Sequence, residues 1–203
     1  MHVGLYKEDA VDGHATPRVL LVDDEPRARG ILSRLLNAAG FVTQEAEDGI
    51  DGLAKLRETL PDVIISDLNM PRMSGVEFIS VVRRRLPHIP VIVISGGVQP
   101  EQPPRDFRPD VWLGKGSLHI EELVESIDDL VRQRPSQLQV PELTDTPFRV
   151  QHGGVGDFVV PCTDCLRPLK ISDTPEIRSG EQMATCIHCQ SRVRFFVDDT
   201  EPS

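Results

Sequence analysis

No apolar stretch in the chain approaches the roughly 20 residues that a helix needs to span a bilayer, so a membrane-crossing protein is not expected. Basic residues are in deficit. Twenty-two Lys and Arg stand against 32 Asp and Glu, and the net charge of −10 is the wrong balance for broad binding to nucleic-acid phosphates. Residues 1–16 lack the basic start and apolar centre of a secretory signal, and they read as a disordered tail. These absences together predict a cytoplasmic protein with protein partners. Cysteine is scarce and confined: the four residues of that type are Cys162, Cys165, Cys186 and Cys189, all in the last fifth of the chain. Their pairing argues for a metal site and against a disulfide framework. Trp112 is the single tryptophan.

What is present begins with five short apolar runs. Arg18-Val19-Leu20-Leu21-Val22 leads into Asp23-Asp24, Val63-Ile64-Ile65-Ser66 into Asp67, Val91-Ile92-Val93-Ile94 into Ser95, and Val111-Trp112-Leu113-Gly114 into Lys115. Phe41-Val42-Thr43 is the fifth and carries no such residue. Between the runs lie segments of helical period. One starts at Pro26, turns Ile31, Leu32, Leu35 and Leu36 inward and stops at Gly40; the next repeats Ile50, Leu53, Leu56 and Leu60 before Pro61. Val76, Ile79 and Val82 follow Gly75, and Leu118, Leu123, Ile127, Leu130 and Val131 stripe the last. Strands alternating with helices predict an α/β fold with a parallel sheet covered on both faces. Neighbouring strands would then bring three carboxylates, a hydroxyl and an ammonium to one sheet edge.

The rhythm breaks between Ser95 and Val111, where Pro100, Pro103, Pro104 and Pro109 predict a loop or one short turn in place of a helix. Residues 135–156 turn to Pro, Gln, Thr and Gly and read as a linker. A small module over 157–198 follows, then an acidic tail over 199–203. There is no internal repeat.

Three clustered carboxylates repel one another, by about 4 kcal/mol for two unit charges about 4 Å apart at an effective dielectric of 20. A cation must offset that, and Mg²⁺ fits because it takes a few carboxylates plus water and phosphate oxygens. Lys115 adds a compact positive charge and Ser95 a donor for phosphoryl oxygens, so a facing carboxylate can act as nucleophile and form an acyl phosphate. The plainer alternative, in which Asp residues only cap helices, suits Asp48 before Gly49 and Asp62 after Pro61.

Val22-Asp23-Asp24-Glu25-Pro26, Asp67-Leu68-Asn69-Met70-Pro71-Arg72-Met73-Ser74-Gly75, Ile94-Ser95-Gly96 and Lys115 resemble the receiver domain of two-component response regulators, over residues 17–134. The resemblance implies a flavodoxin-like, doubly wound sheet of order 2-1-3-4-5 with its site at the carboxyl ends of the strands. It implies that Asp67 is the phospho-acceptor, served by a sensor histidine kinase or phosphotransfer protein. Asp24, Asp67 and the Asn69 main-chain carbonyl would ligate Mg²⁺, with Asp23 supporting the metal. Ser95 and Trp112 would form the switch. Relatives usually follow their lysine with proline, where this chain has Gly116.

Cys162-x-x-Cys165 and Cys186-x-x-Cys189, twenty residues apart, have the spacing of a four-thiolate zinc site whose metal supplies much of the module's folding free energy. The module resembles a zinc ribbon, with Phe158-Val159-Val160 and residues 192–197 as strands, and with Leu166 and Gln190 where many such knuckles carry glycine. Iron held as in rubredoxin and a redox dithiol are the alternatives, and His188 is expected to point outward.

From Pro141 onward ten acidic and six basic side chains leave a net of −4. A protein-docking output is therefore the first reading. A nucleic-acid surface built from Arg192, Arg194, Phe195 and Phe196 is the second. A separate phosphatase or transferase activity would need a substrate-binding cap, which no long insertion supplies, so turnover of another substrate is not expected.

Overall fold

The structure, a computed structural model, describes residues 16–97, 107–133, 148–151, 158–172 and 179–198. The expected amino-terminal tail up to residue 15, the Pro-rich stretch over 98–106, most of the expected linker and the tail 199–203 lie outside these residues.

The first half runs β1 (Arg18–Val22), α1 (Pro26–Ala38), β2 (Val42–Ala46), α2 (Gly49–Glu58), β3 (Val63–Ser66), α3 (Gly75–Arg85), β4 (Val91–Ser95), β5 (Val111–Gly114), a 3₁₀ turn (Lys115–Ser117) and α4 (Ile120–Arg132). The strands form one parallel sheet in the order β2-β1-β3-β4-β5. This is the doubly wound, flavodoxin-like order expected from the sequence. Successive side chains of a strand point to opposite faces. Leu20, Val22, Ile64, Val91 and Val93 therefore meet α2 and α3, while Val19, Leu21, Ile65, Ile92 and Ile94 meet Leu36 of α1 and Leu123 and Ile127 of α4. With both faces covered, the strands read as unbroken β-branched runs rather than alternating ones.

Helix ends follow local chemistry. Pro26 occupies the first turn of α1, and Gly40, at φ 96°, stops it in the left-handed region open to glycine. Asp48 caps α2 by accepting from the Asp51 amide, as its place before Gly49 predicts. Ser74 and Glu77 form a reciprocal capping box at the start of α3.

Three expectations are corrected. Ile31 and Leu35 are 52% and 44% exposed, because α1 turns only Ser33 and Leu36 fully inward and Leu32 partly. Leu60 lies beyond the end of α2 and is exposed. Asp62 caps no helix; its carboxylate accepts from the Arg18 amide and holds the start of β1.

The second half contains β6 (Phe148–Gln151), β7 (Phe158–Pro161), β8 (Pro168–Ile171), β9 (Gly180–Thr185) and β10 (Arg192–Asp198). β7 and β8 form an antiparallel pair, as do β9 and β10. β6, inside the segment expected as linker, pairs in parallel with β10. Along β10, Val193, Phe195 and Val197 are buried while Arg192 is exposed and Arg194 half-buried, a strand with one face in the core.

Candidate functional site

Four strand ends build the first site. Asp23 and Asp67 are buried and Asp24 is exposed, and carboxylate oxygens of all three lie within 4.8 Å of one another. Lys115, at the end of β5, places its ammonium 2.8 Å from Asp67 Oδ2 and 2.9 Å from Asp23 Oδ2. Burial by itself would lower the Lys115 ammonium, but hydrogen bonds from it to Asp67 and Asp23, and their charge, outweigh this and hold it above its ordinary value. Gly116, where relatives carry proline, lies within the 3₁₀ turn that begins at Lys115.

The other oxygen of each buried carboxylate accepts a backbone amide. The Glu25 amide donates to Asp23 Oδ1 at 2.8 Å, and the Leu68 amide donates to Asp67 Oδ1 at 2.7 Å. Arg29 of α1 holds the Asp23 carbonyl at 2.5 Å. Ser95 is buried at the end of β4, where its hydroxyl accepts from the Gly97 amide at 3.2 Å. A Cβ added at Gly97 would stand 3.6 Å from Asn69 Nδ2 and 3.7 Å from Ser95 Oγ, so these residues border one space. Asn69 is exposed beside it. Trp112 is half-buried, edge-on to Phe107 with ring centroids 6.3 Å apart, on the same sheet face as α3.

The donor set fits Mg²⁺. Bonds of about 2.1 Å in an octahedron space oxygens about 3 to 4.2 Å apart, within the spread of these three carboxylates.

Arg72 is a part of this region that sequence reasoning passed over. It adopts φ 62°, pairs with Glu47 at 2.5 Å and meets the fully buried Asp48 carboxylate, tying the loop after β3 to the cap of α2. Its only signal in the sequence is its place five residues after Asp67, which says nothing of Asp48.

The second site gathers the four cysteines. Cys162 and Cys189 sulfurs are 3.6 Å apart, Cys165 and Cys186 sulfurs 3.7 Å, and all four lie within 4.8 Å. A disulfide needs about 2.05 Å, whereas a tetrahedral zinc with 2.3 Å bonds has sulfur–sulfur edges of about 3.8 Å. Both turns repeat one backbone pattern: Leu166 donates to the Cys162 carbonyl at 2.8 Å and Gln190 to the Cys186 carbonyl at 2.9 Å. Leu166 and Gln190 sit at φ 56° and 63°, which explains why glycine suits these positions. Burial pushes the Cys162 thiol up to about 12, so without a cation the buried sulfur stays protonated. Hydrogen bonds from Ser191 bring Cys189 down to about 6. His188 is exposed and contributes its amide to Cys186 Sγ at 3.4 Å. Of the cations placed on β10, Arg194 is engaged with Glu181.

No described helix is long and apolar enough to cross a membrane. Residues 19–105 match the family model of the response regulator receiver domain. Over 88 residues the chain is 38% identical to chemotaxis protein CheY-3 of Vibrio cholerae, covering 42% of this chain and 68% of that protein. It is 38% identical over 120 residues to the gliding motility regulatory protein of Myxococcus xanthus and 40% identical over 83 residues to the transcriptional regulatory protein PrrA of Mycobacterium leprae. Those stretches are 56% and 41% of this chain but only 15% and 36% of the relatives' own lengths. Among solved structures, chemotaxis protein CheY4 of Vibrio cholerae is similar at 34% identity with a TM-score of 0.53, covering 57% of this chain and 99% of that one. With the acidic strand ends, their lysine and the sheet order in agreement, the chain belongs to the response regulator receiver family of two-component systems.

Proposed function

We propose that this protein is a cytoplasmic response regulator in which Asp67 accepts a phosphoryl group from a sensor histidine kinase or phosphotransfer protein, and in which a C-terminal zinc ribbon over residues 157–198 carries the output by docking another protein. The observation that carries the first half is the Lys115 ammonium, held between Asp67 and Asp23 at 2.8 and 2.9 Å beside Asp24. An oxygen of the Asp67 carboxylate attacks phosphorus in line as the bond from phosphorus to the histidine nitrogen breaks, which leaves an aspartyl phosphate and a free imidazole. Lys115 offsets the charge on one phosphoryl oxygen, and the Ser95 hydroxyl turns to donate to another. Asp24, Asp67 and the Asn69 carbonyl would hold Mg²⁺, with Asp23 supporting it; when bound, the metal neutralises phosphoryl oxygens during transfer. Movement of Ser95 would free space behind it for Trp112, the switch residue on β5. The receiver catalyses only its own phosphorylation and dephosphorylation.

Support for zinc is the near-tetrahedral spacing of the sulfurs. Protein docking is favoured over nucleic acid because Arg194 is already paired with Glu181 and the region is acidic. Incubation with a small acyl-phosphate donor and Mg²⁺ should add one phosphate by intact mass, and Asp67→Asn should abolish it. Labelling that persists in the variant would move the acceptor elsewhere.

A further inference from the structure

α3 differs from the other helices around the sheet. Phe78, Ile79, Ser80, Val81 and Val82 are consecutive and none is more than 4% exposed. At about 100° per residue, five successive positions go round the whole helix, so α3 is covered on every side. Phe78 lies toward α2, where a Cβ added at Gly52 would meet its ring. Ser80 projects about 160° away from Phe78, yet it too is buried, with its hydroxyl satisfied by the Val76 carbonyl at 2.7 Å. By contrast, α1 fully buries only Ser33 and Leu36, and α4 only Leu123 and Ile127.

The second covering comes from the cysteine module. One continuous cluster of buried side chains joins Phe78, Val81 and Val82 with Val160, Leu169 and Phe195, and β6 lies beside α3. Arg85, the last residue of α3, fixes the register. It donates to the Asp164 carbonyl at 2.8 Å and pairs with its carboxylate at 3.2 Å, and Asp164 sits between Cys162 and Cys165.

The other end of α3 is pressed against the phosphoryl site. Gly75 donates to the Leu68 carbonyl at 2.9 Å, and a Cβ added at Gly75 would fall 1.9 Å from the Asp67 carbonyl oxygen. This junction has no slack. A shift of the Asp67–Leu68 backbone must be passed to the helix, about 16 Å long, and so to the knuckle at its far end.

We propose that α3 is a clamp that couples metal occupancy of the four cysteines to phosphoryl binding at Asp67, with the zinc-loaded, docked module opposing the phosphorylated state. The sign follows from the arrangement described. The Leu68 amide donates to Asp67 Oδ1 and the Lys115 ammonium to Oδ2, so a phosphoryl group bonded to Oδ1 crowds the Leu68 amide and presses on the junction, while Lys115 follows the new charge onto a phosphoryl oxygen. A docked module holds α3, and through Gly75 that junction, in place. The coupling rests on the proposed roles of Asp67 and of the zinc site. Reciprocity requires that whatever factor zinc imposes on phosphoryl binding, phosphoryl binding imposes on zinc.

The test uses the full chain and beryllofluoride with Mg²⁺ as an equilibrium mimic of the phosphoryl group. Its affinity is measured, by Trp112 fluorescence or calorimetry, on zinc-loaded and zinc-stripped protein. Zinc affinity is measured by chelator competition with and without beryllofluoride. Zinc-loaded protein should bind the mimic about five-fold more weakly or worse, the lower end of ordinary allosteric coupling, and zinc affinity should fall by the same factor when the mimic is bound. Ser80→Arg, which puts a long cation at the covered outer face, should bring the ratio to within about two-fold of unity with both ligands still bound. Arg85→Gln is the milder second variant and should reduce the ratio without abolishing it. Equal or tighter binding to the zinc-loaded chain, or a ratio unchanged in both variants, overturns the clamp while leaving the two sites standing. A chain that takes up no zinc, or no beryllofluoride, overturns the reading of that site and the coupling with it.

Discussion

The strands of the parallel sheet and those of the cysteine module bury side chains in different ways. In β1, β3 and β4 both faces are covered, and from Val19 to Val22, Val63 to Ile65 and Val91 to Ile94 no apolar side chain is more than 4% exposed. In the module, β9 alternates between half-buried and exposed residues, β10 turns one face inward, and the two strand pairs meet at four sulfurs. The first region has enough apolar surface to fold on hydrophobic burial. The second has only a thin core, so the zinc proposed at its four sulfurs would supply much of its stability.

The sharpest way to break that comparison is to remove the metal. Chelation, or Cys162→Ser with Cys165→Ser, should unfold the module and leave the parallel sheet intact, because structural zinc sites contribute on the order of 10 kcal/mol or more to such modules. Amide exchange would show protection lost across β7 to β10 and kept in β1, β3 and β4. A module that stays protected without metal would mean that its apolar core suffices.

A smaller effect is expected from the opposite side. Gly75→Ala puts a methyl group 1.9 Å from backbone rather than from a movable side chain, so relief requires shifting the start of α3. Urea unfolding followed at Trp112 should show a loss of about 3 kcal/mol, at the upper end for overpacking. A loss below about 1 kcal/mol would show that the α3 junction has slack, and would remove the mechanical basis of the clamp.

The smallest change sharpens the comparison by stabilising the weaker region. Gln190 is exposed and held at φ 63°, so Gln190→Gly relieves a left-handed conformation without deleting packing. Zinc affinity should rise by about five-fold, equivalent to about 1 kcal/mol. Unchanged affinity would mean that the knuckle holds Gln190 without strain.

Much of the receiver could be read from order along the chain. Parallel strands in a doubly wound sheet present their carboxyl ends on one side, so a chemically active residue directly after each apolar run is already placed near the others. Asp23, Asp67, Ser95 and Lys115 were legible for that reason. Arg72 was not, because its partner Asp48 depends on how two loops meet. Ile31 and Leu35 were misjudged because apolar spacing marks a stripe but does not say how wide a surface the sheet offers to cover it. β6 was invisible for a related reason: its strand character comes from pairing with β10, more than forty residues on.

The sequence by itself determined the alternation of strands and helices, the acidic strand ends with their lysine, and the paired cysteines, since each depends on short-range period or fixed spacing. Only the tertiary structure decided that Lys115 bridges Asp23 and Asp67, that the four sulfurs converge at tetrahedral distances, and that α3 runs covered from the Asp67 backbone to the Cys162 knuckle. Those relations join residues far apart in the chain, and their geometry is set by packing that no local pattern encodes.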